Sequence, residues 1–212
     1  MDAVVFRAWI VATAEVIEAN RDHLTQLDAA IGDADHGINL SRGFTAVRGA
    51  LDSASTKPLG PGAILTLTGN TLISKVGGAS GPLYGTAFRR AGKALGDAAD
   101  VDLPALCAAL EAALAGVQQL GAAREGDKTM VDALAPATRA FGKAIAEGAS
   151  SDDALDSLVE AAEAGAEATV SMQALKGRAS YLGPRSVGHE DPGAVSTALI
   201  LGALRDAAQA GR

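Results

Sequence analysis

Three aspartates crowd one short stretch of the chain. In Leu27-Asp28-Ala29-Ala30-Ile31-Gly32-Asp33-Ala34-Asp35-His36-Gly37-Ile38-Asn39, the residues Asp28, Asp33 and Asp35 fall within eight positions, with glycines at 32 and 37. Asp33 and Asp35 are two apart, so in an extended segment their side chains leave one face. Gly32 lets the backbone turn, which brings Asp28, at the end of a helical pattern, back toward them. Three carboxylates about 4 Å apart repel by roughly 4 kcal/mol per pair at an effective dielectric of about 20, so the cluster needs a cation. All-oxygen ligands select a hard ion, and few protein carboxylates with room left for phosphates is the habit of Mg²⁺. A second reading of Asp33-Ala34-Asp35 is a solvated turn whose carboxylates cap a helix from about Asn39. A calcium loop of the EF-hand kind is excluded, because D-x-D-H-G lacks its third ligand position and its closing glutamate.

Helices must position this cluster. The 212 residues suffice for one domain with a real core, and 48% are hydrophobic but only 3% aromatic. Such a core is built from Ala, Leu, Val and Ile, which suits closely packed helices. Val5, Trp9, Ala12, Val16, Leu24 and Leu27 step by three or four, with Asn20 the one polar exception, and predict a single helix over 4–27 that delivers Asp28. A second helix is expected over 39–51, stopping before the polar stretch 52–57. Ile64 to Thr68 alternates like a strand but has no partner strand, so 61–76 reads as a buried helix in which Gly69 admits a close neighbour. The glycine-rich turn 77–82 leads into a helix over 83–95, whose free N–H groups beside Ser80 offer an anion site or merely a tight connection. Asp102 caps a helix to about residue 120, and another runs from near Asp127 to about 147. Ser150 to Asp153 has capping-box spacing, and Leu155, Leu158, Ala162, Ala166 and Thr169 carry the next helix to about Leu175. A loop of about 16 residues follows, long enough to suggest function. Asp191 and Pro192 then read as N-cap and first residue of the last helix. The expectation is seven or eight helices, no sheet, no linker and no repeat.

The net charge of −7, with no basic cluster beyond the pair Arg89-Arg90, argues against nucleic acid or an anionic membrane as partner. Cys107 is the single cysteine, which excludes an internal disulfide and fits a reducing compartment. No apolar run is expected to approach 18 residues, and Asp2 and Arg7 lie inside the first helical pattern. No leader is expected, and the location is expected to be cytoplasmic.

The unusual polar groups, at 28–39, 77–81, 121–130 and 176–193, all lie in connections. In an up-and-down bundle alternate connections share a rim, where a metal and a phosphate-bearing ligand are held together. The common nucleotide signatures, G-x-x-x-x-G-K-[ST], a strand-linked G-x-G-x-x-G and H-R-D, are absent.

Aligned in order, these segments closely resemble the nucleotide-binding L subunit of dihydroxyacetone kinase. The runs that carry the resemblance are Ile31 to Gly37 with Asn39 and Arg42-Gly43-Phe44; Val76 to Pro82; Gly126 to Met130; Met172-Gln173; Lys176 to Gly183 with Arg185-Ser186 and Gly188-His189; and Asp191 to Ala194. The resemblance implies one nucleotide-binding domain over 1–212, all-α, a closed barrel of eight antiparallel amphipathic helices with the nucleotide at one rim. It implies that Asp28, Asp33 and Asp35 hold two Mg²⁺ ions that bridge to the phosphates of ADP. By the same resemblance His36, Gly37, Ile38 and Asn39 bind nucleotide beside the metals, Ala79 and Ser80 form the phosphate turn, and Gly121, Met130, Arg178 and Asp191-Pro192-Gly193 make further nucleotide contacts. Arg178, a fixed fork of donors, is the candidate for stabilising charge on the transferring group. No general base is assigned, and the phosphoryl group is expected on ADP rather than on His36 or His189.

The family resembled has two branches. In one this domain is fused to a triose-binding domain and uses ATP as substrate. In the other it is a separate subunit whose resident ADP is charged by a phosphohistidine partner of the sugar phosphotransferase system and discharged to dihydroxyacetone on a triose-binding subunit. The chain shows no segment for the triose, so the separate subunit is expected, as monomer or homodimer. A nucleotide-stabilised helical co-regulator without catalysis is the alternative of another class.

Overall fold

The structure, a computed structural model, describes residues 1–54 and 58–211. Capping side chains set where several helices begin. Asp2 opens α1 (Ala3–Ala19) by accepting from the Val4 and Val5 N–H groups, and Asp102 opens α6 (Leu103–Gly121) through that of Ala105. Ser150 opens α8 (Ser151–Ala168), and Asp191 opens α9 (Pro192–Ala210) by accepting from Ala194 with Pro192 at the first position. The remaining helices are α2 (Arg21–Ile31), α3 (His36–Ser53), α4 (Pro61–Lys75), α5 (Ser80–Leu95) and α7 (Val131–Ala146). Among the described residues there is no strand, only an isolated bridge between Asp2 and Asp100.

The helices close into a ring. Each of α3 to α9 packs on the next, α1 packs on α3, and α9 returns to α1. α2 continues α1 and packs on α3 and α9, so among the described residues the ring has the expected eight members. Neighbours run in opposite directions, and α2, α4, α6 and α8 end at the rim where α3, α5, α7 and α9 begin. The interior is aliphatic, with Phe6, Phe44, Phe141, Ile10, Ile17 and Leu65 fully enclosed, each contributing about 1.5–3 kcal/mol by burial. Trp9 packs against Phe6 and Phe88, and its indole N–H donates to the Ile200 carbonyl at 2.9 Å, which ties α1 to α9. α4 and α5 meet through glycines: a Cβ on Gly69 would stand 2.5 Å from the Gly85 carbonyl oxygen. The buried helix expected over 61–76 is therefore present, and Gly69 has the expected use.

Several boundaries differ from expectation. The helix expected over 4–27 breaks at Asn20, whose side chain donates back to the Val16 carbonyl at 2.8 Å while its backbone leaves the helical range. The apolar stripe passes through the break because Ile17 and Leu24 still face the core. α3 begins at His36 and not near Asn39, and it runs to Ser53; the polar stretch 52–57 otherwise lies partly outside the described residues. α7 begins at Val131, not near Asp127, because the Asp132 carboxylate accepts from the Gly126 and Thr129 N–H groups and folds 126–129 into a turn. α8 stops at Ala168, and the long loop contains 3₁₀ turns at Thr169–Ser171 and Arg178–Ser186. Against the expectation of no long apolar run, α6 is long and apolar enough by length and composition to cross a membrane, with a mean hydropathy of 1.3. Its Leu106, Ala109, Leu110, Ala113 and Val117 are buried in the barrel.

Candidate functional site

Residues 32–35 join α2 to α3 and carry the acidic turn. Asp28, buried on the last turn of α2, accepts with one carboxylate oxygen from the N–H groups of Asp35 (2.8 Å) and His36 (3.1 Å), which satisfies donors at the start of α3. Gly32 makes room for it, since a Cβ there would stand 2.0 Å from the other oxygen. The segment is not extended as the spacing predicts: Ala34 lies in the left-handed region at φ 61°, and this reversal turns Asp33 and Asp35 toward Asp28. One carboxylate oxygen from each of the three lies within 4.8 Å of the others. The Arg178 guanidinium pairs with Asp33 at 3.0 Å. The donor set is all oxygen, Asp28 keeps one oxygen uncommitted, and Asp33 and Asp35 face the cleft, which suits Mg²⁺ retaining waters and accepting phosphate oxygens.

A cleft of about 170 Å³ separates this turn from the starts of α5 and α9 and the residues that lead into α7. Three helix N-termini opening on one cleft favour an anionic ligand there. His36 is enclosed between the two sides. Its Nε2 meets the Ser196 hydroxyl at 2.8 Å and its Nδ1 the Ser80 hydroxyl at 3.1 Å. The Tyr84 hydroxyl lies 2.9 Å from the Gly193 carbonyl, 2.7 Å from Ser196 Oγ and 2.9 Å from Thr197 Oγ1. This polar chain ties α3, α5 and α9 together across the core. Burial lowers the His36 pKa to about 4, against a smaller upward pull from Asp28, and burial raises that of the Tyr84 phenol. With both ring nitrogens engaged, His36 has none free to carry a phosphoryl group. Burial also raises the Asp191 carboxyl to about 7, with the Asp132 charge adding to it and the Ala194 N–H and Lys128 opposing.

Of the residues the sequence singles out, the cleft gathers Asp28, Asp33, Asp35, His36, Ala79, Ser80, Met130, Arg178, Asp191, Pro192 and Gly193. It does not gather Gly37, Ile38, Asn39 or Gly121. Gly37 is pressed on the Arg21 carbonyl, where a Cβ would stand 2.0 Å away, and Ile38 is half-exposed in the first turn of α3. The Asn39 side chain accepts from Arg42 at 2.7 Å beside Gly77, and Gly121 closes α6 against Leu83. Tyr84, Ser196 and Lys128 received no role in the sequence reading, although Lys128 lies in the run Gly126 to Met130. Tyr84 follows Ser80 by one helical turn, a signal that it shares Ser80's face; Ser196 offers no such signal.

Comparison with known proteins identifies the family. The DAK2 domain profile matches residues 30–206. The ADP-binding subunit DhaL of the PEP-dependent dihydroxyacetone kinase of Escherichia coli is 42% identical over 95% of this chain and 95% of its own. A Listeria innocua protein of the same description is 41% identical over 92% of each chain. The triokinase/FMN cyclase of Rattus norvegicus is 40% identical, but the match spans only 32% of its length. Among solved structures, the dihydroxyacetone kinase of C. freundii superposes with a TM-score of 0.70 at 28% identity, covering 97% of this chain and 35% of that one. That enzyme has also been solved with AMP-PNP and Mg²⁺. Matched over most of its length by the domain profile and by full-length relatives, the chain belongs to the DAK2 domain family.

Proposed function

We propose that the chain is the ADP-binding subunit of a phosphoenolpyruvate-dependent dihydroxyacetone kinase, one nucleotide domain over 1–212 working in the cytoplasm. The observation that carries the reading is the acidic turn, with three carboxylate oxygens within 4.8 Å facing three helix N-termini across one cleft. Asp28, Asp33 and Asp35 would hold two Mg²⁺, which when bound screen the phosphate oxygens of ADP. His36, Ala79, Ser80, Met130 and Asp191-Pro192-Gly193 would bind the nucleotide. Gly37, Ile38, Asn39 and Gly121 would act from behind the cleft wall. Arg178 pairs with Asp33 in this structure. With Asp33 holding a cation, Arg178 would share that carboxylate and have its fork of donors available for the transferring group.

Six of the seven exposed large apolar side chains among the described residues gather at the same rim: Ile38, Ile73, Leu120, Leu175, Tyr181 and Val187. An apolar fringe around a polar cleft suits docking of other subunits. The triose-binding subunit and the phosphohistidine donor would use this face in turn. The test is twofold. Native mass spectrometry of the purified chain should find one ADP with magnesium, and dihydroxyacetone should be phosphorylated only when the triose-binding subunit, phosphoenolpyruvate and the phosphotransferase proteins are all supplied. Turnover by the chain with ATP alone would move it to the ATP-using branch. Retained ADP with no turnover in the full mixture would favour the co-regulator.

A further inference from the structure

Lys128 sits where a lysine is costly. It is 1% exposed, and its backbone is left-handed at φ 59°. A buried ammonium needs partners, and a non-glycine residue at positive φ adds a backbone cost, so such a position is held for a purpose. The partners are main-chain carbonyls: His189 at 2.5 Å, Ser186 at 2.7 Å, Thr169 at 2.8 Å and Met172 at 3.2 Å. Four oxygens share three ammonium protons, a crown of the kind that holds a monovalent cation. Two of them lie before Arg178 in the chain and two after it. The neck is also closed by the Gly188 N–H on Val170 (2.7 Å), the Leu175 N–H on Asp127 (3.0 Å) and the Asp191 N–H on the Thr169 hydroxyl (2.9 Å). Ala179 and Leu182 of the segment then pack on Ile31, the last residue before the acidic turn.

We infer that Lys128 is a positioning residue: its ammonium binds the two ends of segment 172–189 together and so sets Arg178 against the acidic turn and Asp191 across the cleft from it. This rests on the function proposed above, in which Arg178 serves the transferring group. The test is Lys128→Ala in the full chain, assayed with the triose-binding subunit and the phosphoenolpyruvate relay, with and without n-propylammonium chloride. Misplacing a charge-stabilising group by about 1 Å costs up to a hundredfold, so kcat should fall at least about tenfold while KM for dihydroxyacetone stays within about twofold. Trypsin should cut faster after Arg178 and Arg185. n-Propylammonium, which refills the crown, should restore both readouts, and tetramethylammonium, which has no N–H, should not. Wild-type kcat and trypsin resistance in Lys128→Ala would overturn the inference, as would a loss that follows the folded fraction in circular dichroism and resists rescue. Should that variant not fold, the near-isosteric Lys128→Met carries the same two readouts. An inactive wild-type mixture would count against the proposed function alone, because the trypsin readout still tests the crown.

Discussion

Gly32→Ala tests how the acidic turn is built. The added Cβ would stand 2.0 Å from one Asp28 carboxylate oxygen, 2.9 Å from its Cγ and 3.1 Å from the Asp28 carbonyl. The φ of Gly32 is −141°, outside the left-handed region, and the nearest collision is with one side chain. Asp28 can yield only by swinging its carboxylate, and its other oxygen then gives up the Asp35 and His36 N–H groups. A hydrogen bond to a charged group contributes about 1.5–3 kcal/mol, so losing both sets an upper limit of about 6 kcal/mol; with relaxation, about 2–4 kcal/mol is expected. For a domain of this length that lowers the Tm by roughly 4–16 °C. Urea melts of wild type, Gly32→Ala, Asp28→Ala and the double variant, all in EDTA, close a double-mutant cycle. With the Asp28 side chain absent, Gly32→Ala should cost less than about 1 kcal/mol, since only the 3.1 Å contact remains. An equal cost in both backgrounds would refute the carboxylate collision.

Further outcomes are expected. Asp33→Ala removes one carboxylate and the partner of Arg178, so the stabilisation by Mg²⁺ and ADP over EDTA, about 4 kcal/mol at a thousandfold excess over Kd, should largely vanish in thermal melts. An unchanged response would make the cluster a capped turn. Arg178→Lys keeps the charge but loses the fork, so ADP should remain in native mass spectra while kcat of the reconstituted mixture drops about tenfold or more. Undiminished kcat would remove Arg178 from the chemistry. Two groups should pull stability in opposite directions over nearly the same pH range. His36 falls from 6.5 to about 4, so the unfolded chain holds the extra proton in that window and stability is lost as pH falls through it. Asp191 rises from 3.8 to about 7, so the native chain holds the extra proton and stability is lost as pH rises through that range. Relative to wild type, Asp191→Asn should steepen the loss toward pH 4 and His36→Gln should lessen it, each by up to about 1.4 kcal/mol per pH unit in urea melts.

The sequence patterns carry the ring better than its breaks. A stripe of apolar residues at three- and four-residue steps marks α1, α2 and α8, because those side chains must face the core whatever the backbone does between them. The same rule hides the break at Asn20, where Ile17 and Leu24 remain buried on either side. Helix starts are missed where the decisive group lies inside the helix, as with Asp132, whose carboxylate reaches back to Gly126 and Thr129. The acidic cluster is legible because carboxylates this close in sequence cannot separate far. The reversal that joins them rests on a left-handed Ala34, which no local preference announces. Lys128 is harder still. In the run Gly126 to Met130 it reads as a solvated loop lysine, and its partners lie 41, 44, 58 and 61 positions away. Those partners are backbone carbonyls, which every residue possesses, so no choice of side chain at 169, 172, 186 or 189 records that an ammonium is held there.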